Sequence, residues 1–360
     1  MILKTPLYAE HVALGARMVD FHGWNMPLHY GSQINEHHDV RRDAGMFDVS
    51  HMNIVDVLGA GGRQFLRHLL TQDVDTLQHI GRALYSCMCN AHGGIIDDLI
   101  VYQRAPDNYR LILNSATRMR DLAWIREKIG GFSAGLQERT DLAMLAVQGP
   151  HAIQKTLTVL NPAQADGVST LASFESVEVD HWFFGRTGYT GEDGLEIIVP
   201  QPQVHALWTA LLHAGVKPCG LAARDTLRLE AGLLLYGQDM DESTSPLESG
   251  LGWTVAWQPD DREFTGMGAL RSQKQHGLTQ KLVGLTLQDK GVMRTGQRVI
   301  VSGHPDGIIT SGTYSPTLTQ SIALARVPIE TGDSVMVDIR GKLLPARVGK
   351  ARFVKHGVPI

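Results

Sequence analysis

Cysteine is scarce, and what there is cannot pair off: the 360-residue chain carries three, Cys87, Cys89 and Cys219. So few, in an odd number, exclude a disulfide framework and suit a reducing compartment, the cytoplasm. The opening MILKTPLYAEHVALGARM has no cationic-then-apolar leader, which points the same way. No apolar run approaches the ~20 residues of a membrane-spanning helix. Charge of one sign is lacking too: 33 Lys and Arg against 37 Asp and Glu leave a net −4. No general field therefore draws the chain to phosphates or anionic lipid, which excludes a nucleic-acid footprint and leaves a ligand to be held locally. The glycine clusters at 59–62, 185–194 and 291–296 give neither G-x-G-x-x-G between a strand and a helix nor G-x-x-x-x-G-K-[ST]. No G-x-S-x-G between a strand and a helix offers a serine nucleophile elbow. Cys87 and Cys89 would share a strand face, but no second Cys or His pair stands at metal spacing. The neighbours His37 and His38 diverge by about 100° on a helix, so no metal is expected.

Glycine is the excess: 38 residues, roughly 11% against a usual ~7%. Many turns, and hence much β structure, follow from it. The length bounds roughly two to three domains, with roughly 75% of the extended surface buried. Residues 32–45 open with a capping Ser, close on Gly, and set Ile34, His37, Val40 and Arg41 on one stripe, which predicts a short helix. FDVSHMNIVDVLG reads as strand, and GGRQFLRHLL as helix through Phe65, Leu66, Leu69 and Leu70. RALYSCMCN and IIDDLIVYQ flank Ala91-His92-Gly93-Gly94 as a hairpin, because glycine takes positive φ cheaply. NYRLILN adds a strand, and TRMRDLAWIREKIGG a helix with Met119, Leu122, Ile125 and Ile129 inward. VEVDHWFFGRTGYTGEDGLEIIVP is strand, glycine-rich turn and strand, followed by the helix PQVHALWTALLHAG. CGLAARDTLRLEAG is a helix ending at Gly232. Beyond about residue 262 short strands with turn residues between them predict a separate β domain, joined by a polar linker, 258–277, that contains one short helix.

Two groups carry chemistry. Asp97-Asp98 interrupt the apolar strand Ile95 to Tyr102, and alternation sends one carboxylate to each face. One therefore points into an interior or cleft, where an unpaired charge costs several kcal/mol, so it is either hydrogen-bonded structurally or used. The second group is Tyr189-Thr190-Gly191-Glu192-Asp193-Gly194-Leu195-Glu196 with Arg224-Asp225-Thr226-Leu227-Arg228-Leu229-Glu230. A tight glycine turn admits a ring close to backbone, and Glu196 on the outgoing strand can accept paired N–H bonds from a planar heterocycle such as a pterin. The competing reading is a solvated hairpin tip beside a surface helix with Glu–Arg pairs.

These residues lie in segments that resemble the T-protein family of the glycine cleavage system, the aminomethyltransferases, over essentially the whole chain. TPLYAEHVALGARMVDFHGWNMPLHYGSQINEHHDVRRDAGMFDVSHM, GGIIDDLIVY, LAVQGP, TGYTGEDGLEI, CGLAARDTLRLEAGLLLYGQDMDE, KGVMR and GIITSGTYSPTL carry the likeness. The fold it implies is α+β in three domains: a discontinuous folate-binding domain (1–50 and 146–260), an inserted ferredoxin-like domain (51–145), and a C-terminal β domain of barrel or jelly-roll type (275–360). The reaction it implies moves the methylene of the aminomethyl group on the dihydrolipoyl arm of H protein to tetrahydrofolate, a co-substrate, and releases ammonia. By the same resemblance Asp97 faces the folate N10 with Asp98 as structural partner, or the pair is reversed. Glu196 and Arg224 match the pterin-holding pair, Tyr85, Asn114 and Tyr189 the pocket lining, and Met52, Val101 and Trp253 apolar walls. Arg294 in KGVMR resembles a basic residue near the lipoyl entrance, where an acidic H-protein surface docks. Some relatives set a C-terminal tyrosine against folate; ARFVKHGVPI has none, and no contact is assigned there. Dimethylglycine and sarcosine dehydrogenases carry a flavin domain for which 360 residues leave no room. The alternative from another class is a non-enzymatic folate-binding protein of iron–sulphur cluster assembly or repair, whose Cys-containing motif AGLLLYGQDM lacks.

Overall fold

LAMLAVQ shows no alternation of polar and apolar residues, and its position explains why: all seven residues of the strand Leu142–Gln148 are buried. In the computed structural model, which describes residues 2–360, this strand lies inside a six-stranded sheet. The spatial order is Ser176–Val179, Trp182–Gly185, Gly194–Pro200, Leu142–Gln148, Gly45–Asp48 and Lys217–Pro218, antiparallel except for the last pair. One face joins Ala143, Leu145 and Val147 to Leu207, Trp208 and Leu211 of the helix Gln201–His213. The other joins Met144 and Ala146 to Ile54, Tyr102 and Ile112. A strand covered on both sides has no polar face to show.

Those last three residues come from a five-stranded sheet ordered Ala83–Cys89, Ile95–Ala105, Asn108–Leu113, Asn53–Leu58, Gly135–Glu138. The expected hairpin turns at Gly93, whose φ is +83°. The helices Gly62–Leu69 and Arg118–Ile129 form where their periodicity places them. One inward assignment fails. Met119, in the first turn, is exposed, while Asp121, Leu122 and Ile125 are buried. In the helix Gln33–Arg42, capped by Ser32, Ile34 is exposed and Glu36 is buried in its stead. The Glu36 carboxylate is drawn inward because it accepts the backbone N–H groups of Tyr30 (2.7 Å) and Gly220 (2.8 Å).

The chain divides into two compact units, each assembled from three segments. The first runs to Phe65 and adds Asp75–Leu84 and Leu99–Leu227; it holds the six-stranded sheet and both of its cores. The second takes Leu66–Val74, Tyr85–Asp98 and Arg228–Ile360. Its strands Gln280–Leu287, Gln320–Pro328, Gly307–Ser315, Arg298–Ile300, Ser334–Ile339 and Lys342–Gly349 close into a barrel in that order. Val283, Leu285 and Leu287 alternate into the barrel and meet Ala323, Ala325 and Val327 there. Ile322 and Leu324 point outward yet stay buried, against Leu229 and Phe353. The helix Met267–His276 is the short helix expected before the barrel.

Candidate functional site

In the first unit the glycine-rich turn between Trp182–Gly185 and Gly194–Pro200 is tied from several sides. Gln148 Nε2 donates to the Thr187 carbonyl (3.0 Å), and the Thr190 hydroxyl donates to Gln148 Oε1 (2.8 Å). Arg41 Nη1 reaches the Thr190 carbonyl (2.7 Å) and pairs with Glu192 (2.7 Å), both side chains being sealed from solvent. A Cβ on Gly188 would fall 1.9 Å from Gln148 Oε1, and Gly191 holds a φ of +80°. Glycine at both places is thus a requirement of the turn.

The turn presents Tyr189, and the Arg224 guanidinium lies 4.7 Å from its ring centroid. Arg224 comes from the helix Leu221–Ala231, and its Nη1 is buried without a hydrogen-bond partner. Burial pushes the guanidinium pKa down, opposed by the charges of Glu196 and Tyr189. Glu196 stands opposite Ala146 in the sheet and is 7% exposed. Its Oε2 accepts the Thr187 hydroxyl (2.6 Å), which also meets the Tyr102 hydroxyl. Burial raises the Glu196 pKa, with Thr187 and Arg224 working against it. His51 is buried nearby in electrostatic reach of Arg224, its Nδ1 without a partner and its pKa pushed down to about 4, first by burial and then by that charge. A buried donor left unmet costs about 1–3 kcal/mol. A carboxylate, an unmet guanidinium donor and an aromatic face together suit a flat, hydrogen-bonding heterocycle.

In the second unit Asp97 and Asp98 lie on opposite faces of their strand, as alternation requires. Asp97 is 0% exposed, whereas Asp98 keeps partial exposure and accepts the Tyr85 hydroxyl at Oδ2 (2.9 Å). The Tyr85 ring stacks on Trp253, with centroids 5.6 Å apart and planes 23° from parallel. Trp253 is 63% exposed. Here a solvent-reaching carboxylate stands beside a two-ring platform. Burial lifts the Cys87 thiol well above its usual range, and the charges of Cys89, Asp98 and Asp97 add to it. Cys89 is pushed up to about 12 by burial, so both thiols are unreactive.

The other candidates are placed as follows. Val101 is 0% exposed and shares a strand face with Asp97. Met52 is half-buried against the core beside Met144 and Ile54. Asn114 follows the strand Asn108–Leu113, and its carbonyl accepts the Thr117 hydroxyl (3.1 Å). Arg294 is exposed, its N–H donating to Gln297 Oε1 (2.8 Å). Sequence reasoning missed Thr187, Gln148 and the Arg41–Glu192 pair. The buried basic residue on the stripe of a polar helix was the available signal. Among the described residues no group of three His, Cys, Asp or Glu side chains could hold a metal ion, and no helix is long and apolar enough to cross a membrane.

A doubly covered sheet with a polar turn and a closed terminal barrel defines a known arrangement. The GCVT N-terminal domain family model matches residues 7–259, and the glycine cleavage T-protein C-terminal barrel domain model matches 280–355. Two curated aminomethyltransferases, from Legionella pneumophila strains Philadelphia 1 and Paris, are each 74% identical over the full length of both chains. The crystal structure of glycine cleavage system aminomethyltransferase T from Bartonella henselae superposes with a TM-score of 0.93 at 33% identity, covering 99% of each chain. The chain belongs to the glycine cleavage T-protein family of aminomethyltransferases. It is an enzyme, and the non-enzymatic alternative is not favoured.

Proposed function

We propose that the chain transfers the methylene of an aminomethyl group, carried on the dihydrolipoyl arm of a glycine cleavage H protein, to tetrahydrofolate. Carbon–nitrogen bonds form to N5 and N10 while the bonds to the amino nitrogen and the lipoyl sulphur break. The two hydrogens leaving N5 and N10 go to ammonia and to the thiol, giving 5,10-methylenetetrahydrofolate and reduced lipoyl arm. No covalent enzyme intermediate is needed, so the protein supplies orientation and proton management. Glu196 and Arg224 bind the pterin edge, the carboxylate accepting and the guanidinium donating, with Tyr189 against the ring. The observation that carries this reading is the buried Glu196 carboxylate beside the unmet Arg224 Nη1.

Burial favours Asp98 over Asp97 at the reacting nitrogen: a side chain with no exposed surface offers nothing to a ligand, while Asp98 is open and aimed by Tyr85. A charged Asp98 stabilises the cationic carbon centre as ammonia leaves. The cytoplasm is proposed as the compartment, in keeping with three buried free thiols. The test is ammonia release from aminomethyl-loaded H protein with and without tetrahydrofolate. A rate strongly raised by tetrahydrofolate is expected, with Asp98→Asn lowering it about 10²-fold; no dependence on tetrahydrofolate refutes the reading.

A further inference from the structure

The segment that follows the helix Leu221–Ala231 is woven into the start of the strand bearing Asp98, entirely within the second unit. The Tyr236 hydroxyl donates to the Ile95 carbonyl (2.9 Å). The Ile95 N–H donates in turn to the carbonyls of Asp241 (3.2 Å) and Thr244 (3.0 Å). Asn90 Nδ2 reaches the Glu242 carbonyl (3.3 Å), and the same carbonyl lies 1.8 Å from where a Cβ on Gly94 would sit. The Tyr236 ring packs against the buried cluster of Cys87, Cys89, Ile95, Met240 and Leu251.

That segment is itself pinned to the barrel. Asp239 is 0% exposed, and its Oδ2 accepts Arg228 (2.8 Å) and the Leu235 N–H (2.9 Å). Its Oδ1 accepts the Thr310 hydroxyl (2.5 Å), and its carbonyl accepts Arg326 Nη2 (2.6 Å). Arg228 also reaches the Ser311 hydroxyl (2.9 Å). Hydrogen bonds to charged groups are the stronger kind, so this link is stiff.

We infer that Tyr236, braced through Asp239 by the barrel residues Thr310 and Arg326, is a positioning residue that sets where the Asp98 carboxylate stands during methylene transfer. The inference rests on the reading of Asp98 given above. A strand whose first residue loses one of its backbone partners drifts, and a catalytic group misplaced by about 1 Å can lose up to 10²-fold in rate.

Tyr236→Phe removes only the hydroxyl. The folate-dependent ammonia release should lose about tenfold in kcat per folded molecule, with KM for tetrahydrofolate within about twofold; a structural role alone would lower the thermal midpoint and spare kcat per folded molecule. Thr310→Val should lower kcat likewise, and Thr310→Ser, which keeps the hydroxyl, should restore it. In the Asp98→Asn background the added Tyr236→Phe should change the residual rate less than twofold, since coupled residues are non-additive. Full kcat in Tyr236→Phe, or a tenfold loss repeated in the Asp98→Asn background, overturns the inference. Full activity in Asp98→Asn alone overturns the reading of Asp98, and the inference with it.

Discussion

Glu196 is a carboxylate held where its charge is expensive, and a ligand that donates two hydrogen bonds offsets that cost. Glu196→Gln keeps the shape and removes the charge, so tetrahydrofolate binding should weaken by about 1.5–3 kcal/mol in calorimetry. Unchanged affinity would return the turn to a structural role. His51 gives a pH signature. Its folded value of about 4 lies below the ordinary ~6.5, with His22 adding to the effect and Asp48 opposing it. Between those values the unfolded chain binds a proton that the folded chain refuses, so stability falls as pH drops from about 6.5 to about 4, by up to about 3 kcal/mol from this group. Urea unfolding of His51→Gln should show a flatter pH profile than the parent in that window; parallel profiles would refute the assignment. Much of this turn was legible in TGYTGEDGLE, because glycine positions report backbone constraints directly. Which of Asp97 and Asp98 looks outward was not. Alternation separates the two faces, but only the layers packed on the strand decide which face is covered.

Elements were easiest to read where one face meets solvent and hardest where both are covered. The hairpin at Gly93 and the barrel strands announced themselves by turn residues and short spacing. The helix Pro162–Ser169 did not, although Asn161 and Gln164 complete a capping box around Pro162. Its apolar content is too thin for periodicity to register. Close approach of backbone to backbone is likewise invisible before folding, and Gly94 illustrates the cost. Gly94→Ala would drive a methyl group into the Glu242 carbonyl, which is hydrogen-bonded in place. A loss of about 1–3 kcal/mol in unfolding free energy is expected, the usual range for overpacking. A variant as stable as the parent would mean that the 241–244 segment yields freely.

For the whole molecule, the near-balance of charge puts any protein partner under local control. Arg294 is exposed on the barrel unit, and an exposed pair contributes only about 0–1 kcal/mol and is screened by salt. Arg294→Glu should therefore slow the reaction with H protein as donor, most at low ionic strength, and spare the reaction with free dihydrolipoamide carrying the same group. Equal losses with both donors would remove Arg294 from docking. The division into units was not legible in the sequence, because composition changes little along the chain and segments 66–74 and 85–98 look like their neighbours. Their membership of the second unit has a consequence for biosynthesis. Cys87, Cys89 and Ile95 leave the ribosome well before Met240 and Leu251, the side chains that complete their cluster. Until Arg228 and the residues beyond it emerge, the nascent chain lacks the side chains that complete the cover of this apolar stretch and its two thiols.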